Sequence, residues 1–442
     1  MLFSSISFLF LYLPAVLAGN ALLPLRMRLP FLFAASLLFY GWGEPGTVIL
    51  MVISILTNHA LTLAMSSYPR RKKALLALSI GLQLAILGYF KYAGLIVPGF
   101  QVALPVGISF YTFQAIGYTI DVYRQDIPAD RSLLRYGTFI TLFPQLIAGP
   151  IERYGDIQPQ LTKPALSWQN FARGTRLFVI GLSKKLLLAN AAGQLWEALK
   201  DSPVQNGFLG NWVALVAFSF QIYFDFSGYS DMARGLGWML GIRFMENFRY
   251  PYTARSITDF WRRWHISLSG WFRDYVYIPL GGNRRGLTRQ IVNILIVWGL
   301  TGLWHGASWN FVIWGFYYAG ILIAEKLFLL TLYARLPKGL AWLSRLPTLT
   351  LVLAGWVLFA FTDFAVIRTF LTHLVSGSPL SPVSWGLIKA FLPLFAVCTL
   401  ASIPWRFRLP RLAEDLLLCA LFLMCVAALV SQGYNPFLYF RF

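Results

Sequence analysis

The chain is a succession of apolar stretches separated by short polar connections. A transmembrane helix needs about 20 predominantly apolar residues, and thirteen segments of the sequence approach that pattern. They are residues 3–20, 28–42, 47–66, 74–91, 102–120, 133–149, 172–190, 208–224, 290–304, 309–332, 347–367, 384–400 and 413–431. Several are interrupted by glycine or polar residues, so we expect about 11–13 helices, some of them partial or re-entrant. The pattern predicts an all-α, polytopic transmembrane bundle forming one membrane domain, residues 1–442.

The short loops between the first stretches indicate an orientation. The loop after the first stretch carries Arg26 and Arg28, the connection 43–46 carries one acid and no base, and the connection 69–73 carries four bases. Cytoplasmic loops are enriched in Lys and Arg, so this alternation predicts an N-terminus outside the cytoplasm. Residues 1–19 resemble the apolar core of a signal peptide, but no base precedes Arg26, and we expect a retained first helix.

Composition supports a membrane environment. The chain is 57% hydrophobic and 12% charged, against about 25% charged residues in soluble domains. The net charge of +20 fits basic residues near anionic lipid, and no nucleic-acid motif accompanies it. The three cysteines, Cys398, Cys419 and Cys425, lie in apolar runs without metal-site spacing. We expect them to be buried core residues, with neither a disulfide nor a metal site.

The segment 242–289 differs from the rest of the chain. Its nine arginines, three acids and interleaved tryptophans and tyrosines are typical of a membrane–water interface. The alternative is that some of the arginines bind an anionic substrate such as a nucleotide phosphate. The candidates for substrate binding are Trp261, Arg262, Arg263 and, in a glycine-rich turn, Asn283.

Two Trp-His runs carry the strongest chemical signal. His305 lies inside an apolar stretch. Because an ionisable ring is costly there, it is a candidate for a functional residue. His265 lies in the second Trp-His run. A neutral imidazole can accept a proton from a hydroxyl, and acyl transfer also needs donors for the developing oxyanion. Trp304 and Asn310 are candidates for those donors. For His305 alone, a core histidine bonded to a backbone carbonyl is an equal alternative. For His265, with its neighbouring arginines and tryptophans, the equal alternative is an interfacial residue.

The run 221–231 places carboxylates within or beside an apolar stretch. Buried carboxylates need partners, and Tyr229 and Arg234 are candidates to pair with Asp225 and Asp231. A helical break at Gly228 would turn these side chains into a cavity. A structural ion pair is the preferred interpretation, with substrate binding by Asp225 and Tyr229 as the alternative.

Several runs together resemble a known family. They are residues 105–114, 143–150, 181–185, 224–233, 246–252, 256–269, 271–284 and 302–306. The resemblance is to the membrane-bound O-acyltransferases, in the bacterial branch that contains the membrane subunits of alginate and peptidoglycan O-acetylation. It covers about residues 30–330, and the helices of 331–442 are less diagnostic.

The resemblance implies a ring of helices around a central funnel, with the family's principal histidine at His305 and its second motif histidine at His265. It implies an enzyme of the bacterial inner membrane that takes an acyl group, usually acetyl, from acetyl-CoA or another cytoplasmic thioester. The group would pass to an extracytoplasmic polysaccharide, alginate-like or peptidoglycan, with a periplasmic SGNH-like partner protein. No bound cofactor or metal is implied.

Two other classes of protein are alternatives to an enzyme. The many helices and the charges within apolar stretches would fit a transporter or flippase of a glycan or lipid-linked substrate. Such a protein would be expected to contain an internal inverted repeat, which the sequence lacks. A structural scaffold leaves both Trp-His runs unexplained.

Overall fold

The fold is built from helices. The computed structural model describes residues 1–97, 102–379, 381–405, 409–431, 433–436 and 438, and no strand occurs within these ranges. The first ten helices are α1 Leu13–Leu22, α2 Leu25–Gly43, α3 Val48–Ser67, α4 Lys72–Ile96, α5 Ile108–Arg124, α6 Leu133–Thr141, α7 Phe143–Leu146, α8 Tyr154–Thr162, α9 Trp168–Ser183 and α10 Asn190–Leu199. The others are α11 Pro203–Met239, α12 Ile257–Trp261, α13 Ile266–Phe272, α14 Leu287–His305, α15 Trp309–Ala324, α16 Leu330–Ala334, α17 Arg345–Ala360, α18 Phe364–His373, α19 Pro382–Ala401 and α20 Arg411–Ser431.

Wider or tighter helical turns extend several of these helices. Wide π-helical turns lie at Phe8–Tyr12, Lys184–Ala189, Arg273–Tyr277 and Glu325–Leu329, and 3₁₀ turns at Pro45–Thr47, Pro69–Arg71, Pro251–Thr253 and Lys338–Ser344. Counted with these turns, eight helices in the described part of the chain are long and apolar enough to cross a membrane. They are Pro45–Ser67, Pro69–Leu95, Pro203–Met239, Leu287–His305, Trp309–Ala334, Gly339–Ala360, Pro382–Ala401 and Arg411–Ser431. The protein is therefore an all-α, multi-pass membrane protein, as the apolar pattern predicts.

The predicted break at Gly228 is wrong. Helix α11 runs without interruption through Gly228 to Met239, and its one non-helical residue is Gly207, with φ 73° near the start of the helix. A glycine inside a helix costs about 1 kcal/mol, but most of the apolar part of α11 is buried, and tertiary packing outweighs that cost. Asp225 and Asp231 consequently lie on a continuous helix.

Two further expectations also need correction. The stretch 347–367 is not one helix, because α17 ends at Ala360 and Asp363 begins α18 by accepting a hydrogen bond from the backbone N–H of Ala365 at 2.7 Å. Such a cap satisfies a helical N–H that has no partner within the helix. Among the cysteines, Cys398 and Cys425 are buried as predicted, but Cys419 is exposed.

The chain forms two compact units. The first comprises residues 1–182 and 229–246, and the second comprises residues 183–228 and 247–442. That residues 1–442 act as a single domain stays a prediction. Within the first unit, Asn58 is buried, and its side-chain amide donates to Ser79 Oγ at 3.0 Å and Thr119 Oγ1 at 2.9 Å. The Tyr136 hydroxyl donates to Asn58 Oδ1 at 2.5 Å.

In the second unit, α14 and α15 form a tight helical hairpin. A Cβ added at Gly302 would lie closer than 3.0 Å to the carbonyl oxygen of Phe311, and one at Gly315 would lie equally close to that of Trp298. Only glycine permits this approach of the two backbones. The hairpin brings His305, the last residue of α14, next to the first turns of α15.

Candidate active site

His305 is enclosed by aromatic rings. Its side chain is 7% exposed, and its ring lies edge-on to those of Trp304 and Trp314, with centroids 5.0 Å away in both cases, and to Phe359 at 5.3 Å. Because α14, α15 and α17 each contribute one or more of these rings, the packing of three helices fixes the orientation of the imidazole.

A narrow cavity opens beside this histidine. Its volume, counted as the space that a water molecule can occupy, is about 20 Å³. Its walls are Ile222, Asp225, Phe226, Trp264, His305, Trp314, Trp356, Phe359 and Leu438. Of these residues, Asp225 and His305 are ionisable and the others are apolar or aromatic. A largely apolar lining with a few polar groups is typical of small-molecule sites, and in this structure the space holds about one water molecule.

Asp225 is held by a lysine from another helix. Lys185 Nζ lies 2.7 Å from Asp225 Oδ1, and both side chains are nearly inaccessible. The ammonium also donates to Asn190 Oδ1 at 3.0 Å and to the carbonyl oxygen of Pro436. The second carboxylate oxygen of Asp225 accepts the backbone N–H of Leu438 at 2.8 Å. The ion-pair contact and these hydrogen bonds together offset the cost of burying the two charges.

The same polar groups hold Tyr434, Asn435, Pro436 and Leu438 in place. Asn190 Nδ2 donates to the carbonyl oxygen of Tyr434 at 3.1 Å and to Asn435 Oδ1 at 3.3 Å. Leu438 in turn forms part of the cavity wall. The sequence interpretation missed Lys185, although a lysine inside the apolar stretch 172–190 and within one of the family-like runs was a usable signal.

His265 is buried in a hydrogen-bond network. Its Nδ1 lies 3.2 Å from Asn247 Oδ1, an oxygen that also accepts the N–H of Ser267 at 3.1 Å and its hydroxyl at 2.9 Å. Because that oxygen only accepts, the network assigns the proton to Nδ1 and leaves Nε2 as the acceptor. Burial lowers the pKa of His265 to about 3, so the ring is neutral at physiological pH.

The two histidines share one neighbour. Trp304 lies 5.0 Å from the ring of His305 and 5.8 Å from that of His265, measured between centroids. The described wall of the cavity includes Trp264 and not His265. The structure thus brings the two Trp-His runs together around the Trp304 indole, with His305 facing the cavity.

Trp261 and Asn310 occupy structural positions beside the site. Trp261 packs against Trp298 at 4.8 Å and Tyr318 at 4.8 Å. Asn310 is fully buried, and its amide donates to the carbonyl oxygen of Leu358 at 3.0 Å, which ties α15 to α17. Neither residue is in the described wall of the cavity, and their binding of substrate stays a prediction.

The other predicted binding residues, Asp225 apart, are not among the described residues that line the His305 cavity. Arg262 and Asn283 are exposed, the latter in the glycine-rich turn, and Arg263 pairs with Asp259 at 2.8 Å. Tyr229 belongs to the first unit, where its ring stacks on Phe3 at 4.6 Å. Asp231, in the same unit, pairs with the predicted Arg234 at 3.2 Å.

Glu325 is a buried carboxylate that the sequence interpretation missed. It accepts the backbone N–H groups of Ile257 at 2.6 Å and Thr258 at 2.8 Å, and the hydroxyl of Thr258 at 2.7 Å. A carboxylate at a helix N-terminus is favoured by the free N–H groups and the helix dipole. Glu325 therefore fixes α12, the helix that leads into Trp264 and His265. A glutamate inside an apolar run was the available signal.

Comparison with known proteins places these features in a family. The model of the membrane-bound O-acyltransferase family matches residues 36–337. The chain is 35% identical to the probable alginate O-acetylase of Azotobacter vinelandii, with both chains covered in full. It is 34% identical to the peptidoglycan O-acetyltransferase of Helicobacter pylori, over 81% of this chain and 77% of that protein. It is 29% identical to the teichoic acid D-alanyltransferase of Bacillus subtilis, over 62% and 69%.

Proposed function

The chain belongs to the membrane-bound O-acyltransferase family, and we propose that it transfers an acetyl group from a cytoplasmic thioester to an acceptor hydroxyl outside the cytoplasm. The acceptor class is a polysaccharide, either alginate-like or peptidoglycan, because similar proteins carry names for both. As an O-acyltransferase, the protein needs an acyl donor, for which acetyl-CoA or another acyl thioester has the required chemistry.

One observation carries the proposal. His305 lies at a cavity with apolar and aromatic walls, next to a carboxylate, Asp225, that is neutralised by Lys185. A neutral imidazole can accept the proton of an attacking hydroxyl. The acceptor oxygen would attack the thioester carbonyl carbon as its proton passes to His305. Collapse of the tetrahedral intermediate would then break the carbon–sulfur bond, and the proton would leave with the thiolate.

The surrounding residues support this role by position. The Trp304 ring packs against the rings of both His305 and His265. A hydrogen bond to Asn247 fixes the neutral ring of His265. We propose that His265 positions Trp304 and thereby the His305 ring, and that the Trp304 indole or a neighbouring donor stabilises the oxyanion. Roles for Trp261, Asn310, Tyr229 and Asn283 in substrate binding remain part of the same proposal.

The proposed setting is the bacterial inner membrane with the N-terminus in the periplasm. This orientation rests on the base-rich loops and the positive-inside rule. A periplasmic SGNH-like protein is the proposed partner that completes transfer to the glycan, so the acceptor of this chain is either the glycan or a serine of that partner.

The test is a transfer assay with labelled acetyl-CoA. Membranes containing the protein, a candidate periplasmic partner and either alginate-type polymannuronate or peptidoglycan strands should move label to one of the two polymers. Label that reaches neither the polymers nor the partner above the level of empty membranes would refute the proposal. Label on one polymer alone would also identify the acceptor.

A further inference from the structure

A second cavity lies in the same unit as the His305 cavity and has different walls. Its volume is about 530 Å³, within the range of about 300–1,000 Å³ usual for small-molecule sites. Its walls are Thr253, Arg255, Asp259, Arg263, Arg345, Ile403 and Pro404. Three arginines face one aspartate, so the cavity carries an excess of positive charge.

The arginines of this cavity are not all neutralised. Arg263 is paired with Asp259 at 2.8 Å. The Arg345 Nε atom is buried and has no hydrogen-bond partner among the described residues. Asp259 accepts the backbone N–H of Arg255 at 3.3 Å, and the described part of the chain gives the Arg255 guanidinium no carboxylate. A buried donor without a partner is costly, so an anion that accepts from Arg345 would relieve that cost.

The geometry points to a site for a phosphate ester, and we propose that Arg255, Arg263 and Arg345 bind one. Guanidinium groups match tetrahedral phosphate oxygens with paired, charge-assisted hydrogen bonds. Two sources have this chemistry: the phosphates of a thioester donor such as coenzyme A, and the headgroup of a phospholipid.

Two structural links connect this cavity to His305. Arg263 lines the arginine cavity, and the next residue, Trp264, lines the His305 cavity. Arg345 and Phe359 lie fourteen residues apart on α17, about 21 Å along the axis at the rise of an α-helix. An extended pantetheine arm is of this order of length, so a donor held by its phosphate at Arg345 would direct its thioester towards Phe359 and His305. This part of the inference rests on the proposed function, whereas phosphate binding does not.

The test measures binding to the full chain in detergent without turnover. The probes are coenzyme A, which lacks an acyl group, and dioctanoyl phosphatidylglycerol. Arg345→Gln and Arg255→Gln remove one charge each. The Arg255 variant is the safer one for folding because that side chain is exposed. Arg335→Gln is the matched control, an exposed arginine outside the cavity. We expect about tenfold weaker binding in each cavity variant, unchanged binding in the control, and a further loss of affinity with added salt.

The two probes identify the source. If the cavity variants lose affinity for coenzyme A, the cavity binds the phosphates of the donor. If they lose affinity only for phosphatidylglycerol, it binds a lipid headgroup. Equal affinity of wild type and both cavity variants for both probes, or no binding by wild type, overturns the proposal. A His305→Gln variant that binds coenzyme A normally but transfers no acetyl separates this inference from the proposed function, which the binding assay does not use.

Discussion

Lys185 Nζ lies 2.7 Å from Asp225 Oδ1 at the wall of the His305 cavity, and both side chains are nearly inaccessible. The two residues are forty positions apart, and besides Asn190 their hydrogen-bond partners are Pro436 and Leu438. Through these hydrogen bonds, the ion pair attaches the last described residues of the chain to the wall of the candidate active site.

Removing one partner of this pair should destabilise the protein. Lys185→Met leaves the Asp225 carboxylate buried without a counter-charge, and such a loss costs about 3–5 kcal/mol. The unfolding temperature in detergent should fall accordingly. The double variant Lys185→Met with Asp225→Asn should recover part of the loss, because no buried charge remains.

The matched control for that experiment is Lys200→Met. Lys200 pairs with Glu197 at 2.5 Å, but both side chains are partly exposed, and such pairs contribute about 0–1 kcal/mol. Equal unfolding temperatures for the Lys185 and Lys200 variants would contradict the structural role assigned to the buried pair.

Gly302→Ala should distort the hairpin that carries His305. The new methyl group would lie too close to the carbonyl oxygen of Phe311, and overpacking of this kind costs about 1–3 kcal/mol. Both unfolding temperature and acyl transfer should drop. Gly320→Ala on the same hairpin has open space around it, so it should be neutral or slightly stabilising. The assignment fails if both variants behave alike.

Glu325→Ala should loosen the segment that leads to Trp264 and His265. The variant leaves two backbone N–H groups and one hydroxyl without their acceptor, at about 1.5–3 kcal/mol for a hydrogen bond to a charged group. Glu325→Gln keeps one acceptor oxygen and should retain more activity and stability. Hydrogen exchange at residues 257–264 measures the effect directly; equal exchange in wild type and Glu325→Ala would argue against the capping role.

Glu152 should make stability depend on pH. Burial raises the pKa of this carboxyl to about 8, and the N–H of Met245 bonded to it only partly offsets the effect. With an ordinary pKa near 4.5 in the unfolded chain, the folded protein holds an extra proton between about pH 4.5 and 8. Stability should therefore fall as pH rises through this window.

Glu152→Gln removes that titration and should flatten the curve of unfolding temperature against pH between about pH 4.5 and 8. Glu197→Gln, at a side chain that is 31% exposed, serves as the control and should keep the wild-type slope. A wild-type curve that rises over this range would show that the carboxyl is ionised in the folded protein.

The helical class and the two Trp-His runs could be predicted from the sequence, because apolar length and rare intramembrane histidines are local signals. The partner of Asp225 could not, since Lys185 reaches it only through tertiary packing. The predicted break at Gly228 failed for the same reason: local propensity favours a break there, and burial of α11 overrides it. Glu325 lies 68 positions from Ile257, so its capping role was likewise invisible in the local pattern.

The central claim is that His305 acts in acyl transfer. The most direct measurement compares acetyl transfer from labelled acetyl-CoA by wild type, His305→Gln and the control His373→Gln, whose imidazole bonds only locally to Thr369 at 2.8 Å in the described structure. A general base contributes about 10²–10⁴-fold. We predict a loss of at least about 100-fold for His305→Gln at unchanged unfolding temperature, and none for His373→Gln. Wild-type transfer by a folded His305→Gln protein would contradict the account.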